Sequence, residues 1–283
     1  MKRVMLPSAP ILNRKRYALQ KTVSSTTAST IPVENDPLPL DSVSAFEAIV
    51  RQVSSTSGFP LAIPGCFVHQ IHVIIRDRTL VNQELQNARN RCVLRQLHVE
   101  NCGILLVREQ DYRGLIENLY INANEDIVAK KEAMVLEKFL TKVLPGSTDL
   151  SISQTRLCEL MGMADDKDRV ITLTLLRLGF IVFQTHGPNV EFESSFWFTL
   201  PNMRALISEV EAARKEFLSM IQKAKPYREL ILSKLRAKGK FKGSSMSLEF
   251  HIKDVVGSGL IIARDTAIEG NSSLFLLPDK LTG

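Results

Sequence analysis

Nucleophiles, bases and metal-binding side chains all occur in this chain, yet their spacing does not build a reaction centre. The five histidines (His69, His72, His98, His186 and His251) are scattered, and none forms a nucleophile elbow with a serine or cysteine. His69 and His72 would share a helix face, but without a third ligand they read as polar helix positions rather than a metal site. The four cysteines (Cys66, Cys92, Cys102 and Cys158) show neither CxxC spacing nor a histidine at a ligand interval. They read as reduced, mostly buried thiols of an intracellular protein, not as a zinc site or a disulfide framework. Asp165, Asp166 and Asp168 form a carboxylate cluster, but they precede a helix start, where the dipole stabilises negative charge. Gly257-Ser258-Gly259 lies between a short helix and a strand, the context of a turn rather than of a phosphate loop. No segment supplies the strand lysine, catalytic loop and metal-binding aspartate that a protein kinase needs. The expectation is a non-enzymatic protein with no metal and no cofactor.

What the chain does concentrate is positive charge. Between Ile221 and Lys242 stand eight basic residues, Lys223, Lys225, Arg228, Lys234, Arg236, Lys238, Lys240 and Lys242, against one acidic residue, Glu229. Such groups on a helix and the loop after it can track phosphates, and each phosphate neutralised releases counterions, so binding would be strongly salt-dependent. Base-reading side chains are sparse there, only Tyr227 and Phe241, so backbone binding with little sequence preference is expected. The alternative is a solvated basic surface that serves solubility. A weaker second cluster comprises Arg76, Arg78, Arg89, Arg91 and Arg95 against Asp77 and Glu84. Arg78 is its favoured member, unless Glu84 pairs with it. Residues 125–200 carry 8 basic and 11 acidic residues and would repel nucleic acid. The net charge of +6 merely permits a polyanionic partner; its segregation by segment is the informative feature.

The elements that must position these charges recur along the chain. With 283 residues, 45% of them hydrophobic, there is material for two or three compact domains. Residues 1–40 are rich in Ser, Thr and Pro, carry a basic start, and are expected to be a disordered tail. Within it Asn13 to Arg16 (NRKR) is either a nuclear-import signal or a solvated cluster. No apolar run approaches the roughly 18–20 residues that span a bilayer, and no signal-peptide core is evident, so no membrane partner is expected. From Asp41 the periodicity predicts helices over 42–53, 66–75 and 78–91, the last capped by Asp77, then strands VLRQLHV and GILLV. The order repeats with helices over 127–144, 153–161 and 168–178, closed by Gly179, and a hairpin turning at Gly187-Pro188-Asn189. Pro201 opens a long helix that ends before Pro226. A third, shorter unit follows, expected to be short of one helix. It has a helix through Tyr227, Leu230, Ile231 and Leu235, a strand near 247–250, a helix over 251–256 and a hairpin turning at Glu269-Gly270-Asn271. This predicts an α+β, mainly helical chain of three tandem winged-helix domains of about 80 residues each, at 41–122, 123–202 and 203–283.

The segments RDRTLVNQEL, EQDYR, KFLTKVLPGSTDLSISQ, LSMIQKAKPYRELILSKL and LEFHIKDVVGSGLI with its closing LFLLP together resemble the serine/threonine-protein kinase nineteen family, over nearly everything from Asp41 to Pro278. Despite its name, the resemblance implies three winged-helix domains and no kinase fold. It further implies a nuclear protein that binds double-stranded DNA in transcription-coupled nucleotide excision repair. There it would link the stalled RNA polymerase II complex, including the Cockayne-syndrome ubiquitin-ligase receptor, to TFIIH, with a homodimer also possible. By position, Arg78, Lys223, Lys225 and Lys238 match basic positions of the family, whereas Gln222 stands where the family has arginine and Pro226 is inserted after Lys225. The acidic middle unit would then be the protein-docking surface. The competing reading is a winged-helix protein-protein scaffold of a transcription or ubiquitin-ligase complex, with no direct DNA binding.

Overall fold

Capping side chains set where several of the helices begin. Asp41 Oδ1 accepts Ser44 N–H at 2.7 Å ahead of α1 (Ser42–Ser55), and Asp77 Oδ1 accepts Thr79 and Leu80 N–H at 3.0 Å to open α3 (Arg78–Asn90). The structure is a computed structural model that describes residues 41–55, 58–123, 130–162, 168–184, 194–224, 229–265 and 273–277. It is α+β and mainly helical, as the periodicity predicts.

A single connectivity occurs three times. β1 (Gly65–Phe67) leads directly into α2 (Val68–Ile74), then come α3 and the hairpin β2 (Leu94–Val99) and β3 (Gly103–Arg108). After α4 (Glu109–Ala123) the second round runs through α5 (Lys130–Lys138), a π-helical turn (Phe139–Val143) and α6 (Leu144–Gly146). It continues with β4 (Ser151–Ser153), α7 (Gln154–Met161), α8 (Asp168–Leu178), β5 (Ile181–Phe183) and β6 (Ser195–Phe198). The third comprises α9 (Met203–Lys223), β7 (Leu230–Ile231), α10 (Leu232–Lys238), α11 (Leu248–Gly257), β8 (Ile262–Asp265) and β9 (Ser273–Leu276). Each sheet is antiparallel with the last strand in the middle, in the orders β1-β3-β2, β4-β6-β5 and β7-β9-β8. The registers pair Leu97 with Leu105, Ile152 with Phe196 and Leu230 with Phe275.

Several elements differ from expectation. The second helix starts at Val68, because Gly65, Cys66 and Phe67 pair with Val107, Leu106 and Leu105 as an edge strand too short to show alternation. Leu230 and Ile231 are likewise strand, and the expected strand at 247–250 is the first turn of α11, where Ser247 Oγ accepts Phe250 N–H at 3.2 Å. The third unit therefore lacks no helix. α4 was not anticipated; its Tyr112 is fully buried, donates to Thr199 O at 3.2 Å and meets Phe180 edge-on at 6.0 Å. Cys66 and Cys102 are buried, but Cys92 is exposed. The turns at 187–189 and 269–271 lie outside the described residues, as does the tail over 1–40.

One apolar core runs through the first two units, from Phe46 and Ile71 to Phe139, Phe180 and Phe198, and reaches Leu206, Val210 and Phe250 of the third. A second gathers Phe217, Leu235, Ile252 and Phe275 in the third unit. The units are joined by polar side chains as well. Arg95, buried, pairs with Glu109 at 2.6 Å and donates to Leu144 O at 3.1 Å, tying β2 to the helix of the next unit. Gln70 Nε2 donates to Phe250 O at 2.9 Å and Lys253 Nζ to Gln52 Oε1 at 2.8 Å, binding α11 to α1 and α2.

Candidate nucleic-acid interface

The basic stretch is presented by a short helix with one apolar edge. Leu232 and Leu235 of α10 are buried at helical spacing, which turns Lys234, Arg236 and Lys238 outward. Gly239, at φ +81°, ends the helix in a conformation that favours glycine. Phe241 then anchors the loop, 2% exposed and packed on Phe217 at 5.4 Å and edge-on to His251 at 5.5 Å. With Phe241 pinned inward, Lys240 and Lys242 on either side of it are exposed.

The cations are not equivalent. Lys238 Nζ lies 2.5 Å from Glu216 Oε1, and Lys242 donates its backbone N–H to the same carboxylate at 2.7 Å. Burial alone would raise the Glu216 carboxyl, but these donors outweigh it and hold the group below the usual carboxylate range. Arg236 pairs with Glu249 at 3.4 Å. The side chains of Lys234, Lys240 and Lys242, and of Lys223 in the last turn of α9, are exposed and make no ion pair with any described residue. Lys225 and Arg228 lie outside the described residues.

Topologically, α11 is the third unit's counterpart of the helix that enters the groove in a helix-turn-helix protein. Here it is buried: Phe250, His251, Ile252, Lys253, Asp254 and Val255 are each at most 3% exposed. Asp254 receives Arg214 in a bidentate pair at 2.8 Å and His69 Nε2 at 2.8 Å, while Arg214 also donates to Asn101 O at 3.0 Å. Burial would raise the Asp254 carboxyl, but Arg214 and His69 together hold it below its ordinary value. His69 is thereby engaged in a link between units. The one legible sign of this network was a charged pair, Lys253-Asp254, inside the apolar run LEFHIKDVVG. Gly257 closes the helix against α2, where a Cβ would collide with the His69 carbonyl oxygen, and Gly259 turns at φ +75°.

The first-unit cluster divides too. Arg78 is exposed in the first turn of α3, and Glu84 is occupied elsewhere, accepting from Ser42 N at 2.8 Å and Ser42 Oγ at 2.7 Å. Arg76 and Arg91 are exposed; Arg89 is 16% exposed and faces Asp149 at 3.5 Å. Arg95, buried against Glu109, belongs to the core and not to a surface. Among the described residues, no group of three or more His, Cys, Asp or Glu converges as a metal site, and no helix is long and apolar enough to cross a membrane.

The family model described as inactive serine-threonine protein kinase 19 matches residues 44–272. Winged helix repair factor 1 of Homo sapiens is 28% identical over 253 residues, covering 88% of this chain and 91% of that protein. Its namesake in Mus musculus is 28% identical over 275 residues, 95% of this chain and 100% of that protein. In Xenopus laevis the protein of that name is 26% identical over 209 residues, 72% of this chain and 73% of that one. With the match running from the first helix into the last hairpin, the chain belongs to the family of the inactive serine-threonine protein kinase 19.

Proposed function

We propose that this chain is a non-enzymatic DNA-binding adaptor of three tandem winged-helix domains, acting in the nucleus in transcription-coupled nucleotide excision repair. Phosphates of duplex DNA are held by Lys223, Lys234, Lys240 and Lys242, aided by Arg236 and Lys238 when these leave their surface partners, and by Arg78 of the first unit. Lys225 and Arg228 belong to the same stretch of sequence. The observation that carries this reading is the exposed, unpaired set Lys234, Lys240 and Lys242, held outward by buried Leu235 and Phe241. The relatives' name, winged helix repair factor, supports the repair assignment. Linking the stalled RNA polymerase II complex and its Cockayne-syndrome receptor to TFIIH is the role the family resemblance suggests.

Because the third unit's groove helix is buried, its contact with DNA is through α10 and the loop after it, and is largely independent of sequence. The test is fluorescence anisotropy with a labelled random-sequence duplex over a salt series, comparing wild type with Lys234→Glu/Lys240→Glu. Affinity that falls with salt, and a variant weakened on every sequence, are expected. Salt-independent or absent binding would instead favour the scaffold reading. That second reading has an observation of its own. Leu173 and Phe183 of the middle unit are 60% and 58% exposed beside a groove lined by Leu176, Phe196, Thr172 and Gln154, an apolar surface suited to protein rather than to phosphate.

A further inference from the structure

The exposed face of α3 differs chemically from the basic stretch. Val81, Leu85 and Ala88 bury one side of this helix. At 100° per residue, Thr79, Asn82, Gln83, Gln86, Asn87 and Asn90 fall on the opposite side within an arc of roughly 140°. All six are exposed, and the first five line a shallow open hollow on the surface. Five are carboxamides; the one bond among them is Gln86 Nε2 to Asn90 Oδ1 at 3.1 Å. Asparagine is a weak helix former, and charged side chains would serve solubility better than any of these amides, so this composition calls for a partner.

The charges around the face match a duplex. Arg78 is exposed at its N-terminal end, and Arg91 is exposed just past its C-terminal end. The helix's own carboxylate, Glu84, is turned away onto Ser42, and the capping Asp77 is held by the Thr79 and Leu80 N–H groups. Asp149 of the second unit is matched by Arg89. A neutral amide surface between two arginines suits a major groove, with cations at the bordering phosphates and carboxamides toward the base edges. A carboxamide can both donate and accept, so it matches the adjacent N6–H donor and N7 acceptor of adenine bidentately.

We propose that α3 enters the major groove and reads adenine through Asn82, Gln83 and Gln86, giving the protein a sequence preference that the basic stretch does not supply. This rests on the DNA-binding reading above and adds selectivity to it. Arg78 and Arg91 fix the register on the phosphates. The third unit anchors the same duplex without regard to sequence.

The experiment is selection by the full chain from duplexes with a randomised core, followed by anisotropy on the recovered sequence and on a shuffled one. Wild type is expected to enrich adenine-containing steps and to favour the recovered duplex by about tenfold per amide–adenine contact. Asn82→Ala/Gln83→Ala/Gln86→Ala changes only exposed positions to a good helix former, so circular dichroism should be native. This variant is expected to bind both duplexes alike, near the wild-type affinity for the shuffled one. Lys234→Glu/Lys240→Glu should weaken both duplexes equally and keep the preference. A duplex RNA of the recovered sequence should show no dependence on the amides, because its deep, narrow major groove does not admit the helix. Flat selection by a wild type that still binds DNA overturns this inference alone, as does a preference that survives the triple alanine variant. Absence of binding to any duplex removes the DNA-binding reading and this inference with it.

Discussion

Asp254 shows how much one side chain can hold together. It is fully buried and receives Arg214 from α9 of its own unit and His69 from α2 of the first, so part of its pairing holds only while the units stay docked. Asp254→Asn would leave Arg214 without its counterion, and a loss of about 3–5 kcal/mol in denaturant unfolding is expected. His251, beside it on α11, sets a pH dependence. Burial lowers its pKa from 6.5 to about 4, and Nε2 lies 2.7 Å from Ser244 Oγ. Between those two values the unfolded chain binds a proton that the folded one refuses. This contribution to stability is thus complete above about pH 6.5 and is lost as the pH falls toward about 4. Thermal melts across that window should show a steeper acid loss in wild type than in His251→Gln.

At the scale of elements, α10 and α11 present opposite surfaces, one exposed and basic, the other buried. α11 is walled in by α2 and α9, so its role is structural; a side chain at its last residue would have to push the His69 carbonyl away. Gly257→Ala should cost about 1–3 kcal/mol, read from urea denaturation, without changing any charge that DNA would meet. α10 is the opposite case, with little to bury and much to present. Each of Lys234 and Lys240 replaced by Ala should reduce the slope of log affinity against log salt by about one, if it neutralises one phosphate. Lys238→Ala, already paired with Glu216, should reduce it less.

Across the whole molecule, the first two units share a continuous apolar core that Leu206, Val210 and Phe250 of the third unit also join, and the Asp254 network fastens the third unit further. The single tryptophan, Trp197, stacks on His98 of the first unit at 4.7 Å, so its emission reports on that boundary. Unfolding followed by Trp197 fluorescence and by far-ultraviolet circular dichroism should coincide in wild type. In Asp254→Asn the two should separate, because the third unit would come loose while the stacked pair remains.

The sequence by itself determined most of the periodic helices, the segregation of charge and the repeated order of elements. These are local properties, carried by spacing along tens of residues. Only the tertiary structure decided which charges are available. Arg95 and Arg78 look alike in a list of basic residues, yet one is buried against Glu109 and the other is exposed. The two-residue and three-residue strands β7 and β1 were illegible because so short a strand is defined by its partner across the sheet. α11 is buried partly where its Asp254 meets His69, 185 positions apart, and no window along the chain contains both. Burial is a property of contacts, and contacts between distant residues exist only once the chain has folded.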